Sequence, residues 1–201
     1  YRLKKQADAL KGLQTTQGGF AWYPDMKSNG YVTTVVSELL GRLNQRNLID
    51  NDLKIVFDKG LRYIERDLTN RLEELEELEN SVVGKYNTYN LYETIAHYLY
   101  VHALGDSQKQ SSKIVSDDYL FTKILRRSKE LTIYGKAKVA YALYKRRANN
   151  AQYLTKAKEL LNSIKEYSVY NEEKGRFFNT YKAPYSWLDG RVPTQVAAIE
   201  L

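Results

Sequence analysis

Apolar residues recur every three or four positions through most of this chain, the spacing that turns one face of a helix toward a core. Leu3, Ala7, Leu10 and Leu13 trace a first helix, which stops at Thr15-Thr-Gln-Gly-Gly19. Paired glycines there end a helix and permit a tight turn. A second helix is predicted over about Tyr31 to Asn44, with Val32, Val35, Val36, Leu39, Leu40 and Leu43 on its buried side. A third, long helix begins near Asn51, its inner stripe formed by Leu53, Val56, Phe57, Leu61, Ile64, Leu68, Leu72, Leu75 and Leu78. The acidic second half reads as a plain amphipathic helix, because its leucine run is too short for a coiled-coil seam.

Further helices are predicted over Tyr89 to Leu104, Tyr119 to Arg127, Leu131 to Arg147 and Ala151 to Tyr167. In the Leu131 helix, Ile133, Ala137, Ala140, Leu143 and Tyr144 are expected to face inward. Residues from Asn171 to Gly190 break the pattern, and Thr194 opens a last helix. The three prolines, Pro24, Pro184 and Pro193, fall in or beside the two irregular stretches.

Those two stretches resemble each other. Gly18-Gly-Phe-Ala-Trp22 precedes Tyr31-Val-Thr33 and its helix, and Gly175-Arg-Phe-Phe178 precedes Val192-Pro-Thr194 and its helix. Each unit is a helix, a glycine–aromatic turn, an irregular loop and a Thr-led helix. Such repeats cannot bury their faces alone and stack on their neighbours. The expected fold class is therefore all-α. The expected architecture is an α/α toroid of the terpenoid cyclase/prenyltransferase-like kind, an incomplete ring of about eight helices forming one partial domain over residues 1–201, with an open superhelix as the alternative.

Composition narrows the picture. No apolar run approaches the roughly 18 residues of a membrane span, and Tyr1 to Lys11 is too charged for a signal sequence. The absence of cysteine excludes disulfides and thiolate chemistry from these residues. The last residues, Val196 to Leu201, end on an apolar pattern, which reads as a segment of a longer protein. The net charge of +7 is concentrated between Lys123 and Arg147, where nine basic residues meet the single acid Glu130. With no nucleic-acid module beside it, this stripe reads as a solvated helix face, and binding to a polyanion is the other reading.

Candidate chemistry is sparse. Glu93 and His97 share a helical face, but His102 lies about 140° around from His97 at 3.6 residues per turn, so no metal site is expected. No phosphate loop, nucleophile elbow or Walker pattern is present, and no cofactor is expected. Trp22, Tyr23 and Asp25 in the first irregular loop, and Trp187 and Asp189 in the second, are the candidate loop or interface residues. Two carboxylates beside aromatic planes would suit a glycan, and packing and capping roles compete with that reading. The 18 tyrosines cluster at Tyr86–Tyr100 and at Tyr134, Tyr141 and Tyr144, where packing between helices is the leading role.

Leu13-Gln14-Thr-Thr-Gln17-Gly-Gly-Phe20-Ala-Trp22 resembles the Gln-then-Gly-aromatic signature of α/α toroids such as terpene cyclases. Together with Tyr31-Val-Thr-Thr, Ile133-Tyr-Gly-Lys-Ala-Lys-Val-Ala-Tyr-Ala-Leu143 and Trp187-Leu-Asp-Gly-Arg-Val-Pro-Thr-Gln-Val-Ala-Ala-Ile-Glu-Leu201, in this order, it resembles the thioester-domain region of bacterial α-2-macroglobulin-like proteins. That resemblance implies a non-catalytic structural and interaction domain of a protease trap, periplasmic, cell-surface or secreted. Its partners would be the other domains of the parent chain, and its targets would be proteases. The family's thioester needs a Cys-x-Glu-Gln motif, and these residues contain no cysteine to supply it. A carbohydrate-active toroid or a helical-repeat binding module are the alternatives.

Overall fold

The computed structural model describes residues 2–79, 89–105, 116–178 and 191–201. Among them are eight helices: α1 (Arg2–Gly12), α2 (Gly30–Gln45), α3 (Asn51–Glu79), α4 (Tyr89–Leu104), α5 (Asp117–Arg126), α6 (Ile133–Lys145), α7 (Ala151–Glu166) and α8 (Arg191–Glu200). One antiparallel pair, β1 (Ser168–Asn171) and β2 (Gly175–Phe178), joins them. The chain is mostly helical, as its periodicity predicts. It divides into two compact units, residues 1–77 with 104–116, and residues 78–103 with 117–201.

In the first unit, α2 runs antiparallel to α3 at close range. A β-carbon on Gly30 would meet the Asp67 carboxylate, one on Gly60 would meet Ser37 Oγ at 2.6 Å, and one on Gly41 would meet the Phe57 ring at 3.2 Å. The pairs 30/67, 37/60 and 41/57 step in opposite directions along the two helices. This approach reverses part of the α2 expectation. Thr33, Thr34, Ser37, Leu40 and Gly41 are its buried residues, whereas Val35 and Leu39 are 43% and 52% exposed and Val32, Val36 and Leu43 only half-buried. Small side chains win the inner face because large ones would overpack against α3.

Of the predicted α3 stripe, Val56, Phe57, Leu61, Ile64, Leu68 and Leu72 are buried and Leu53 is half-buried, while the side chains of Leu75 and Leu78 lie outside the described residues. Each of the six buried side chains contributes roughly 1.5–3 kcal/mol of transfer free energy before ordering costs. Local signals set the helix starts. The Asn29 carboxamide accepts the Val32 N–H of α2, and Asp50 Oδ1 accepts the Leu53 N–H of α3 at 2.8 Å.

In the second unit α6 is the central helix. Gly135 to Ala140 are all buried, and both α7 and α8 pack against it. Ile133, Ala137, Ile164, Phe178 and Ala197 form one apolar cluster joining α6, α7, β2 and α8. Tyr144, expected inward, is 48% exposed, because the helix turns its last ring past the packed face. The α4 tyrosines Tyr92, Tyr98 and Tyr100 are buried, and Tyr100 meets Tyr141 of α6 edge-on at 5.1 Å.

The hairpin lies where helical spacing breaks down, and spacing does not predict it. Val169, Tyr170, Phe177 and Phe178 suit a strand pair, and the Asn171 side chain accepts the N–H groups of Glu173 and Lys174, tightening the turn. Gly175 then takes φ +71, a left-handed conformation that glycine adopts without steric cost.

Candidate interaction surface at the glycine–aromatic corner

The signature that suggested a toroid is a tightly bonded corner in the first unit. At the end of α1, the Gln14 carboxamide donates to Gly18 O at 2.9 Å and to Val56 O of α3 at 2.8 Å. Gln14 also forms an antiparallel bridge with Phe20. Thr15 N–H donates to Gly19 O at 2.8 Å, and the Ala21 N–H donates to Leu13 O. Gly18 sits at φ +91, where a β-carbon would lie 2.7 Å from the Lys59 carbonyl oxygen. Only glycine satisfies both constraints.

Phe20 is fully buried, and its N–H donates to Thr33 Oγ1 at 2.8 Å. The Thr33 hydroxyl in turn donates to Asn29 O at 2.7 Å, and Asn29 N–H donates to Phe20 O. One threonine thus closes the loop between the corner and the first turn of α2. In the second unit, Thr194 is likewise fully buried at the start of α8, Phe178 is buried, and Gln195 Nε2 donates to Phe178 O at 3.1 Å. Phe177 is half-buried. The two corners share a buried aromatic and a buried threonine.

Trp22, Tyr23 and Met26 lie on the outside of the first corner, 51%, 69% and 51% exposed. Trp22 leans on Tyr31 of α2 with ring centroids 6.4 Å apart. Tyr31, Val35 and Leu39 continue from it along α2 at helical spacing. Asp25 is exposed and takes φ 64 in the loop. Trp187, Asp189 and Pro184 lie outside the described residues, and so does Tyr86.

Two clefts open beside the corner. One, of about 450 Å³, is lined by Thr15, Thr16, Gln17, Asp25, Met26, Lys27, Ser28 and Tyr63. The other, of about 590 Å³, is lined by Gln17, Tyr63, Arg66, Asp67, Thr69 and Asn70. Tyr63 is fixed between them: its hydroxyl donates to Ser28 O at 3.2 Å, and its ring leaves no room for a side chain at Gly19. Arg66 donates to Gln17 O at 2.6 Å.

The basic run from Lys123 to Arg147 is not one solvated face. Lys136 and Lys138 are buried. Lys138 Nζ lies 4.6 Å from the Tyr100 ring centroid and 4.3 Å from that of Tyr134. Lys136 Nζ donates to Ser163 Oγ at 2.9 Å and faces the Tyr167 ring. Ammonium groups are attracted to ring faces, and their methylene stems pack in the core. Spacing alone marks such lysines as polar, and two of the tyrosines that receive them, Tyr100 and Tyr167, are distant in sequence.

Glu93 and His97 are also buried, on α4. Glu93 Oε1 accepts the Thr132 N–H at 2.7 Å, adding a second cap to α6, where Thr132 Oγ1 accepts the Gly135 N–H. A carboxylate at a helix N-terminus is favoured by the helix dipole. His97 stands edge-on to Tyr134. His102 stacks on Tyr98 and pairs with Asp117 at 3.0 Å. Arg146 Nε stands 3.4 Å from the same carboxylate, an ion pair without hydrogen-bond alignment. Burial pushes the Asp117 carboxyl up, but the hydrogen bond and charge of His102 and the charge of Arg146 outweigh it and hold it below the ordinary value. Burial, and then the hydrogen bond to Asp118, raise the Tyr153 phenol. Among the described residues no three His, Asp or Glu side chains converge on a metal-sized site, and no helix is long and apolar enough to cross a membrane.

The second unit therefore holds its buried ionisable groups in capping, hydrogen-bonding and ring-facing roles, while the first unit presents an exposed aromatic corner beside two open clefts. Comparison of the chain with known protein families, with curated proteins and with solved structures finds no match to any of them.

Proposed function

We propose that this chain is a non-catalytic structural and interaction domain of a bacterial α-2-macroglobulin-like protease trap, its helices forming part of an α/α toroid. The observation that carries the reading is the corner at Gln14, Gly18, Phe20 and Thr33, where the Gln and the buried aromatic tie α1, α2 and α3 together. That is the role the resemblance assigns to these residue types. The recurrence of a buried threonine at Thr194, at the start of α8, supports a repeated helical unit. The exposed Trp22, Tyr23 and the outer face of α2 would then be contact surface for other domains of the parent, outside the cytoplasm.

A trap encloses its protease without blocking the catalytic centre. The test is to incubate the whole protein that carries this chain with a general protease and assay two substrates. Cleavage of a small chromogenic peptide should persist while cleavage of a large protein is suppressed. Equal cleavage of both, or equal inhibition of both, would overturn the proposal.

A further inference from the structure

We draw no further inference here: the strongest candidate, the apolar surface patch that runs from the exposed Trp22 and Tyr23 of the corner through Tyr31, Val35 and Leu39 on the outer face of α2, carries nothing beyond the contact role already proposed for it, because nothing in the structure shows what covers it.

Discussion

Ser37 of α2 lies over Gly60 of α3 so closely that a β-carbon at Gly60 would stand 2.6 Å from Ser37 Oγ. Ser37 is fully buried, and its hydroxyl has no hydrogen-bond partner among the described residues. A buried hydroxyl without a partner costs roughly 1–3 kcal/mol, so Ser37→Ala should raise stability by about 1 kcal/mol. Gly60→Ala alone should be neutral or destabilising, because the gain in helix propensity, about 1 kcal/mol, is offset by displacement of the serine. In the Ser37→Ala background the same change should stabilise, as the remaining contacts, to Phe20 Cε2 and the residue-37 β-carbon, are 3.8 and 3.9 Å. A double-mutant cycle from urea unfolding measures this coupling. Additive effects would contradict the close approach.

The exposed side of α2 leads to an opposite expectation for residues that look like core. Leu39 is 52% exposed and Val35 is 43% exposed. Leu39→Lys should therefore change stability by no more than about 0.5 kcal/mol, as surface substitutions do. Ser37→Leu, a change from polar to apolar, should cost about 1–3 kcal/mol by overpacking against Gly60. Thermal melts of the two variants rank them directly, and a larger loss for Leu39→Lys would restore the face that spacing selects.

Gly18 and Gly175 both have left-handed φ, at +91 and +71, but differ in surroundings. A β-carbon at Gly18 meets the Lys59 backbone, whereas at Gly175 it meets nothing within 4 Å. Gly175→Ala should cost about 1 kcal/mol from backbone conformation alone. Gly18→Ala adds a backbone collision and should cost about 2–4 kcal/mol. At roughly 2–4 °C per kcal/mol for a chain of this size, the two melting temperatures should separate measurably.

Asp117 links stability to pH. Its carboxyl titrates below the ordinary value when folded, because His102 and Arg146 favour the charged form. The folded state therefore binds that proton less readily than the unfolded chain. The stabilisation is complete above the unfolded carboxyl pKa, about 3.9, and is lost as pH falls through the lower folded value. Asp117→Asn should reduce stability at pH 7 by roughly 1–3 kcal/mol, the worth of a charged hydrogen bond. It should also flatten the decline below pH 4. Melting temperatures from pH 2.5 to 7 for both proteins test this, and parallel curves would refute it.

The helices were legible because each carries its own period, and the end of α1 because Gly18-Gly19 acts locally, whereas the caps at Asn29, Asp50 and Thr132 emerged only with their hydrogen bonds. The corner was legible too: a glutamine, paired glycines and an aromatic can be recognised before their hydrogen bonds are known. Which face of α2 turns inward was not, since that depends on Gly60 and Phe57, which lie beyond any local window. Nor was the burial of Lys138, which needs Tyr100 from another helix as well as Tyr134 from its own.

The amino-acid order by itself determined where helices form, where they stop and which residues could make a tight corner, because those are short-range properties of backbone and neighbouring side chains. The tertiary structure decided which faces meet and which charges leave water. It also decided that Gln17 of the corner loop and Asn70 of α3 line clefts beside one tyrosine. Those outcomes depend on the distance between elements, and a close helix pair favours small residues over hydrophobic ones.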